Sequence, residues 1–212
     1  MSSFIYVLLL PCVFSLNDIT PMLPEHITQC HEERLARFPA GTEYHMADEL
    51  VPGVWVGSVC ASRNETFLRE KQISLALSVA NEWNVEGMNL YTGHEGTLYF
   101  HIAGLLDDPA REKEEQVLTL LQDAVVVIQY WREHEPWAAG SVLIYCNMGV
   151  SRSVTVALAY LMLDPGFARQ YSRNKDPLYL AQQKRPVANP NWLYRQVLYK
   201  IHDVQHMSHE WL

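Results

Sequence analysis

The sequence lacks the features that mark a nucleic-acid-binding or membrane-spanning protein. Basic residues are scarce, because 16 Lys and Arg stand against 24 Asp and Glu, for a formal net charge of −8. This surplus of negative charge disfavours the phosphate backbone of DNA or RNA as a partner. The apolar run at residues 4–16 is shorter than the roughly 20 residues that a membrane-spanning helix needs. We therefore expect no nucleic-acid partner and no stable membrane insertion.

Cysteine is also scarce, and its spacing argues against two kinds of site. The four cysteines, Cys12, Cys30, Cys60 and Cys146, form no Cys-x-x-Cys pair and no Cys/His pattern with metal-ligand spacing. We therefore expect no bound metal, no cofactor and no disulfide framework in a chain of this length. A reactive thiol persists best in a reducing compartment, which favours the cytoplasm, or the nucleus, as the location.

The apolar run at residues 4–16 keeps secretion open as a second location. Its length is that of a signal-peptide core, but no Lys or Arg precedes Arg34, and Pro11 interrupts the run. Residues 1–47 as a whole contain scattered prolines and charges. This composition predicts a loop-rich N-terminal extension with one short helix near residues 32–37.

After residue 47, short apolar runs alternate with helical patterns. Strands are predicted at residues 54–56, 73–79, 97–103 and 142–145, and residues 82–95 are predicted to form a loop. Helices are predicted at residues 64–71, 117–131 and 154–163, after the cap Asp176-Pro177, and from Asn189-Pro190 to about residue 204. The acidic stretch 112–115 is predicted to be a helical first turn.

This alternation predicts an α/β fold with a central, mostly parallel sheet of four to five strands flanked by helices. One domain would occupy residues 48–205, followed by a frayed tail at residues 206–212. Ligands of such sheets bind beyond the carboxyl ends of the strands. A functional site is therefore expected after the strand at residues 142–145.

The stretch that follows this strand has the chemistry of a phosphate site. A strand–loop–helix turn directs backbone N–H groups and the positive helix end at one point, which favours a bound anion. The same field favours the thiolate of Cys146, and Arg152 offers a planar fork for two phosphate oxygens. Gly149 lies where a Cβ would obstruct the curling backbone. The predicted phosphate-binding residues are Asn147, Met148, Gly149, Val150, Ser151 and Arg152.

The pattern Cys146-x-x-Gly149-x-Ser151-Arg152-Ser153 resembles the signature loop of the dual-specificity branch of the protein tyrosine phosphatases. The resemblance continues in AYLM at residues 159–162, in RPVANPN at residues 185–191 and in VWVGS at residues 54–58. It covers about residues 48–203. A phosphatase-like fold is implied, with the phosphate-binding loop between a central strand and a helix.

The resemblance also implies catalytic roles. Cys146 would be the nucleophile that forms a phosphocysteine, Arg152 would bind the phosphoryl group, and Ser153 would ease departure of the thiolate. The family places its general acid, an aspartate, some thirty to forty residues before the cysteine. Asp107 and Asp108 both fit, and Asp108 is the better match at the strand end. The other aspartate would cap the following helix.

One departure from the family pattern concerns the residue before the nucleophile. The family usually has His there, whereas this chain has Tyr145. Activation of the thiol is therefore expected to be weakened but not abolished. Asn147, Met148 and Val150 are uncharged, which disfavours inositol-lipid substrates, because phosphatases of that type place Lys in this loop.

The predicted function is that of a protein phosphatase acting on phosphotyrosine and on phosphoserine or phosphothreonine. Its partner would be a phosphoprotein substrate, and the sequence does not indicate an oligomeric state. Two alternatives stay open. One is a weakly active, pseudophosphatase-like module that binds phosphoproteins, and the other is a phosphatase of non-protein phosphomonoesters.

Overall fold

The computed structural model describes residues 23–80, 88–92, 97–102, 104–134, 139–164, 166–167 and 176–209. Six strands within these ranges form one sheet in the order β1-β2-β6-β3-β5-β4. The strands are β1 Ala47–Val51, β2 Val54–Ser58, β3 Ile73–Ser78, β4 Met88–Thr92, β5 Leu98–Ile102 and β6 Ser141–Cys146.

The sheet is parallel in its centre and antiparallel at both edges. Strands β2, β6, β3 and β5 run parallel to their neighbours. The edge strands β1 and β4 pair antiparallel with β2 and β5. The predicted α/β fold with a mostly parallel sheet is confirmed. The predicted count of four to five strands is one or two too low, because both edge strands were missed.

Seven helices flank the sheet in the part of the chain that the structure describes. They are α1 Pro24–Leu35, α2 Val59–Ser62, α3 Glu65–Glu70, α4 Glu114–Glu133, α5 Arg152–Leu163, α6 Pro177–Lys184 and α7 Trp192–His209. The predicted cap at Asp176 is confirmed, because its side chain accepts from Leu178 N–H. At the start of α3, the Asn64 side chain accepts from Phe67 N–H in the same way. None of the helices in these ranges is long and apolar enough to cross a bilayer.

The prediction of a loop over residues 82–95 is wrong at its centre. Residues 88–92 form β4, and the remainder of that segment lies outside the described residues. The glycines at positions 87, 93 and 96 carry the turn signal that led to the loop prediction. Pairing with β5 outweighs that signal, which shows tertiary context overriding local composition.

Three predictions about helix boundaries are also wrong. The N-terminal extension holds the twelve-residue helix α1, which starts eight residues before the predicted short helix. The last helix begins at Trp192, where the Asn191 side chain accepts from Tyr194 N–H, and Asn189-Pro190 precedes it. The same helix continues to His209, so residues 206–209 are helical and do not form a frayed tail.

Alternation along β6 divides the interior into two cores. Val142, Ile144 and Cys146 face the larger core, to which α4, α5, α6 and α7 contribute. Leu143 and Tyr145 face a second core, formed with residues of α1, α2 and α3. The residue before the predicted nucleophile therefore lies on the opposite face of the sheet from Cys146.

The expectation that the chain would lack a disulfide is wrong. Cys30 of α1 and Cys60 of α2 are bonded, and their Cα atoms lie 5.9 Å apart. Among the described residues, Cys146 is the free cysteine. This disulfide weakens the case for the cytoplasm or nucleus, because disulfides persist in oxidising compartments. The free thiol of Cys146 remains the argument for a reducing compartment. The apolar run at residues 4–16, on which the alternative of secretion rests, lies outside the described residues.

Candidate active site

The candidate site is the 146–152 loop, which joins the central strand β6 to helix α5. Strand β6 ends at Cys146, one residue after the predicted strand, and α5 begins at Arg152, two residues before the predicted helix. Both β2 and β3 flank β6, so the loop emerges from the middle of the sheet at its carboxyl edge. The N-terminus of α5 directs backbone N–H groups and a partial positive charge into the loop.

Four successive carbonyl groups of this loop are held by donors from outside it. The Asn147 carbonyl accepts from Arg34 Nε at 2.9 Å, and the Met148 carbonyl accepts from the Tyr44 hydroxyl at 3.0 Å. The Gly149 carbonyl accepts from Arg185 Nε at 2.5 Å. The last of the four, that of Val150, accepts from Asn189 N–H at 2.8 Å.

These bonds determine the direction of the N–H groups. In a trans peptide, the C=O of one residue and the N–H of the next point in opposite directions. Because these carbonyls accept hydrogen bonds from residues outside the loop, the N–H groups of residues 148–151 turn towards the inside of the loop. One of them is seen in contact with the nucleophile candidate, because Gly149 N–H donates to Cys146 Sγ at 3.2 Å.

Gly149 makes this backbone path feasible, as the sequence predicted. Its φ is 71°, in the left-handed region that favours glycine. A Cβ at this position would lie 2.5 Å from Arg185 Nη2 and 2.6 Å from the Gly57 carbonyl carbon. Any side chain would therefore push the loop away from β2 and from the arginine that holds its carbonyls.

The predicted residues Cys146, Arg152 and Ser153 come together at the base of the loop. Cys146 is only 2% exposed, and its Sγ lies 3.3 Å from Ser153 Oγ. Arg152 is buried as well, at the first position of α5. A hydroxyl beside the sulfur can donate a hydrogen bond to a thiolate, and the guanidinium presents a forked donor beside it.

The two candidate acids occupy different environments. Asp107 lines the cleft above Cys146, and its Oδ2 lies 3.7 Å from Arg152 Nε. Its Oδ1 accepts from Ser151 Oγ at 2.6 Å and from Asn191 Nδ2 at 3.1 Å. Asp108, in contrast, accepts from Ala110 N–H at 3.1 Å, which is a local turn contact. The geometry favours Asp107, so the sequence-based preference for Asp108 is not supported.

A buried network holds the backbone that carries both aspartates. The Tyr194 hydroxyl accepts from Asp107 N–H at 2.9 Å and donates to Glu112, whose Oε2 lies 2.8 Å away. Glu112 also accepts from the N–H groups of Leu106 and Asp108. Burial, followed by the bond to Glu112, raises the pKa of Tyr194, so the hydroxyl keeps the proton that it donates.

Arg185 connects the loop to the edge of the sheet. Its side chain is fully buried, and Nη1 lies 2.5 Å from Asp48 Oδ2 at the start of the chain's first strand. Its Nε and Nη2 donate to the Gly149 and Met148 carbonyls. A buried guanidinium needs such partners for its charge and its donors. The arginine of the RPVANPN motif is therefore a support of the loop.

A cleft of about 700 Å³ opens above Cys146. Three arginines line it, Arg37, Arg152 and Arg195, together with the carboxylate of Asp107. Trp192 lies on its rim and is 63% exposed. The cleft therefore carries positive charge in a protein whose net charge is −8. Local charge of this kind attracts anionic ligands.

Several residues of this site could not be assigned from the sequence. Glu112 was predicted to belong to the first turn of a helix, but α4 begins at Glu114. Glu112 instead holds the loop of residues 104–113, which carries Asp107 and Asp108 and is called the aspartate loop below. Tyr194 and Arg34 carried no signal, because their partners are 82 or more residues away. Arg185 was recognised within a motif, but its contacts depend on the folded chain.

Comparison with known proteins agrees with this geometry. The model of the dual specificity phosphatase catalytic domain matches residues 54–203. Dual specificity protein phosphatase 1 of Arabidopsis thaliana is 30% identical over 139 residues, an alignment that covers 66% of this chain and 60% of that relative. Human dual specificity protein phosphatase 22 is 28% identical over 169 residues, covering 78% of this chain and 79% of that protein.

The fold agrees with solved structures as well. A crystal structure of a mouse putative dual specificity phosphatase complexed with zinc tungstate superimposes with a TM-score of 0.60 at 23% identity. The superposition covers 81% of this chain and 97% of that one. The predicted family resemblance is confirmed: the chain belongs to the dual specificity phosphatase family.

Proposed function

We propose that the protein hydrolyses phosphomonoesters on proteins, at phosphotyrosine and at phosphoserine or phosphothreonine. The observation that carries this proposal is the position of Cys146 Sγ. It accepts from Gly149 N–H in a loop whose carbonyls are tied outwards, and Arg152 lines the same cleft. Such a site holds a tetrahedral oxyanion and presents a sulfur nucleophile to its phosphorus.

The reaction would proceed in two displacements. The thiolate of Cys146 attacks phosphorus, and the bond to the ester oxygen breaks, with its electron pair leaving on that oxygen. Asp107 gives its proton to the departing oxygen, while Arg152 and the loop N–H groups bind the equatorial oxygens. Water then attacks the phosphocysteine and returns its proton to Asp107. The S–P bond breaks to give inorganic phosphate and the thiolate, to which Ser153 donates a hydrogen bond.

The assignment of Asp107 as the acid is supported by three contacts. The carboxylate faces Arg152, Ser151 and Asn191 inside the cleft, and the network of Tyr194 and Glu112 fixes its backbone. Its φ of 59° is unusual for a residue other than glycine, although aspartate tolerates this conformation better than most. A strained residue held by its surroundings is typical of functional sites.

The proposal is tested with purified protein and para-nitrophenyl phosphate, followed by phosphotyrosine and phosphoserine peptides. We expect turnover by the parent chain and none above background by Cys146→Ser, because an alkoxide is far less accessible than a thiolate at neutral pH. Tungstate, a tetrahedral oxyanion, should still bind to the Ser variant. Peptide turnover separates a protein substrate from other phosphomonoesters.

Two outcomes would contradict the proposal. Turnover by Cys146→Ser within about tenfold of the parent would exclude the covalent route through this sulfur. Binding of phosphopeptides without any turnover by the parent would favour the alternative, a phosphoprotein-binding module of the same fold.

A further inference from the structure

Helix α1 contributes to the active site although it precedes the region that the family model matches. That region begins at residue 54, whereas α1 spans Pro24–Leu35. From its last turn, Arg34 reaches the residue next to the nucleophile. Its Nε donates to the Asn147 carbonyl at 2.9 Å, and its Nη2 donates to Asn147 Oδ1 at 2.8 Å. This two-point contact fixes both the backbone and the side chain of one loop residue.

The remaining nitrogen of the same guanidinium is bound to the disulfide. Arg34 Nη1 donates to the Cys30 carbonyl at 2.9 Å and lies 3.2 Å from Cys30 Sγ. Cys30 is bonded to Cys60 of α2, and Val59, also in α2, donates its N–H to the Asn147 carbonyl at 3.4 Å. Both partners of the disulfide are therefore connected to Asn147.

Helix α1 has little else to hold it in place. Only Ile27 and Cys30 of its twelve residues are buried. A helix on the surface is normally held by a continuous apolar stripe, which α1 lacks. His31 also stacks on Tyr44, with ring centroids 5.3 Å apart. With so few contacts, the position of α1 relative to the loop depends largely on the disulfide and on the hydrogen bonds of Arg34.

We propose that Arg34 is a positioning residue for the phosphate-binding loop and that the Cys30–Cys60 disulfide keeps it in place. This inference rests on the proposed function. Arg34 ties the Asn147 carbonyl outwards, and the peptide plane then turns Met148 N–H inwards, towards the bound phosphoryl group. Without Arg34, the Asn147 carbonyl keeps the longer bond from Val59 N–H, so the peptide is held less firmly and the donor is less well oriented.

The first test compares substitutions on the same helix. Arg34→Ala should lower kcat/KM for para-nitrophenyl phosphate by about 10- to 100-fold, the scale of a misplaced active-site group. Arg34→Lys should fall in between, because an ammonium keeps the charge but cannot reach both Asn147 acceptors with a planar fork. The matched control is Gln29→Ala, which removes an exposed bond to Glu33 one turn earlier and should leave kcat/KM unchanged.

Two further measurements distinguish positioning from general stability. We expect Arg34→Ala to bind tungstate more weakly, and the rate at which iodoacetamide alkylates Cys146, followed on the Cys146 peptide by mass spectrometry, should fall. Both effects should persist at temperatures well below the melting transition. A lower melting temperature with an unchanged alkylation profile and unchanged kcat/KM would show that Arg34 is merely structural, and would overturn the proposal.

The disulfide is tested with the double variant Cys30→Ser/Cys60→Ser, which adds no new thiol. It should reproduce part of the loss caused by Arg34→Ala, and the triple variant that also carries Arg34→Ala should lose about as much as Arg34→Ala alone, because coupled residues are not additive. Additive losses would overturn the role of the disulfide. If the parent shows no turnover, the proposed function fails, while equal tungstate affinities of parent and Arg34→Ala would separately exclude positioning by Arg34.

Discussion

Arg152 lies near both the proposed nucleophile, Cys146, and the proposed acid, Asp107. Its guanidinium is buried beside Cys146 and lies 3.7 Å from Asp107 Oδ2. The fork must release this carboxylate, at least in part, to take up two phosphate oxygens. The contact therefore places the acid above the phosphoryl position before a substrate arrives, and it makes the shape of the guanidinium as important as its charge.

Arg152→Lys should consequently be a poor replacement. The ammonium retains the positive charge but loses the bidentate geometry, so transition-state stabilisation should fall by roughly 2–4 kcal/mol, as for other oxyanion donors. Steady-state kinetics should show about a 30- to 1000-fold loss of kcat/KM. Kinetics equal to those of the parent would mean that the loop does not hold phosphate in the proposed way.

The two aspartates can be separated by varying the leaving group. A missing acid matters most for a poor leaving group, since a good one departs without a proton. We expect Asp107→Asn to slow hydrolysis of alkyl phosphates such as phosphoserine by about 10²–10⁴-fold and that of activated aryl phosphates much less. Asp108→Asn is the control, and its effect should be small and independent of the leaving group. The reverse pattern would return the role of the acid to Asp108.

At the scale of elements, the site depends on where α7 and β1 meet the loops. Helix α7 supplies Tyr194 to the aspartate loop, and the start of the sheet supplies Asp48 to Arg185. Both contacts are made by buried polar groups, which are costly to leave without partners. Each element therefore fixes one loop, and the two loops face each other across the cleft.

Removing the Tyr194 hydroxyl should affect the aspartate loop selectively. Tyr194→Phe leaves Asp107 N–H without its acceptor and removes one of the three donors to Glu112, at a cost of about 1–3 kcal/mol in the free energy of unfolding. Alkyl phosphate turnover should fall more than aryl phosphate turnover, because the acid is displaced. Tyr199→Phe on the same helix, whose exposed hydroxyl contacts Asp176, should change neither. A uniform loss for both substrates would argue against a role in holding the acid.

Elements with a strong local signal were predicted correctly from the sequence. Strand β6 and helix α5 follow directly from an apolar run and the Cys146-to-Arg152 spacing, and the cap at Asp176 is a local pattern. Strand β4 and the start of α7 were missed, because their limits depend on β5 and on Asn191. The catalytic loop is a local feature and its supports are distant in sequence, so the supports could not be predicted.

At the scale of the whole molecule, one buried ion pair links the sheet edge to the active site. The Arg185 side chain is 0% exposed, and that of Asp48 is 12% exposed. Asp48→Ala should destabilise the protein by about 3–5 kcal/mol, because it leaves a buried guanidinium without its counter-charge. Urea unfolding measures this loss. The control Asp203→Asn removes a carboxylate that is 77% exposed and should cost less than about 0.5 kcal/mol. Equal urea midpoints for Asp48→Ala and Asp203→Asn would contradict the predicted contribution of the ion pair to stability.

The protein contains two sulfur sites, the Cys146 thiol and the Cys30–Cys60 disulfide, whose proposed roles require opposite redox states. For the proposed mechanism Cys146 must stay reduced, because its oxidation to a sulfenic acid removes the proposed nucleophile. The bond between Cys30 and Cys60 must stay oxidised to hold α1. A dithiol reductant that protects the first also delivers two electrons and two protons to the second, giving two thiols and its own cyclic disulfide.

Activity should therefore pass through a maximum as the dithiol concentration rises. Turnover would first increase as Cys146 is recovered and then decrease as α1 is released, while Cys30→Ser/Cys60→Ser should show only the rising limb. Alkylation followed by mass spectrometry would assign each limb to its cysteine. A purely rising curve for the parent would contradict this expectation. If activity does pass through a maximum, assay buffers with a high dithiol concentration would underestimate the turnover of this protein.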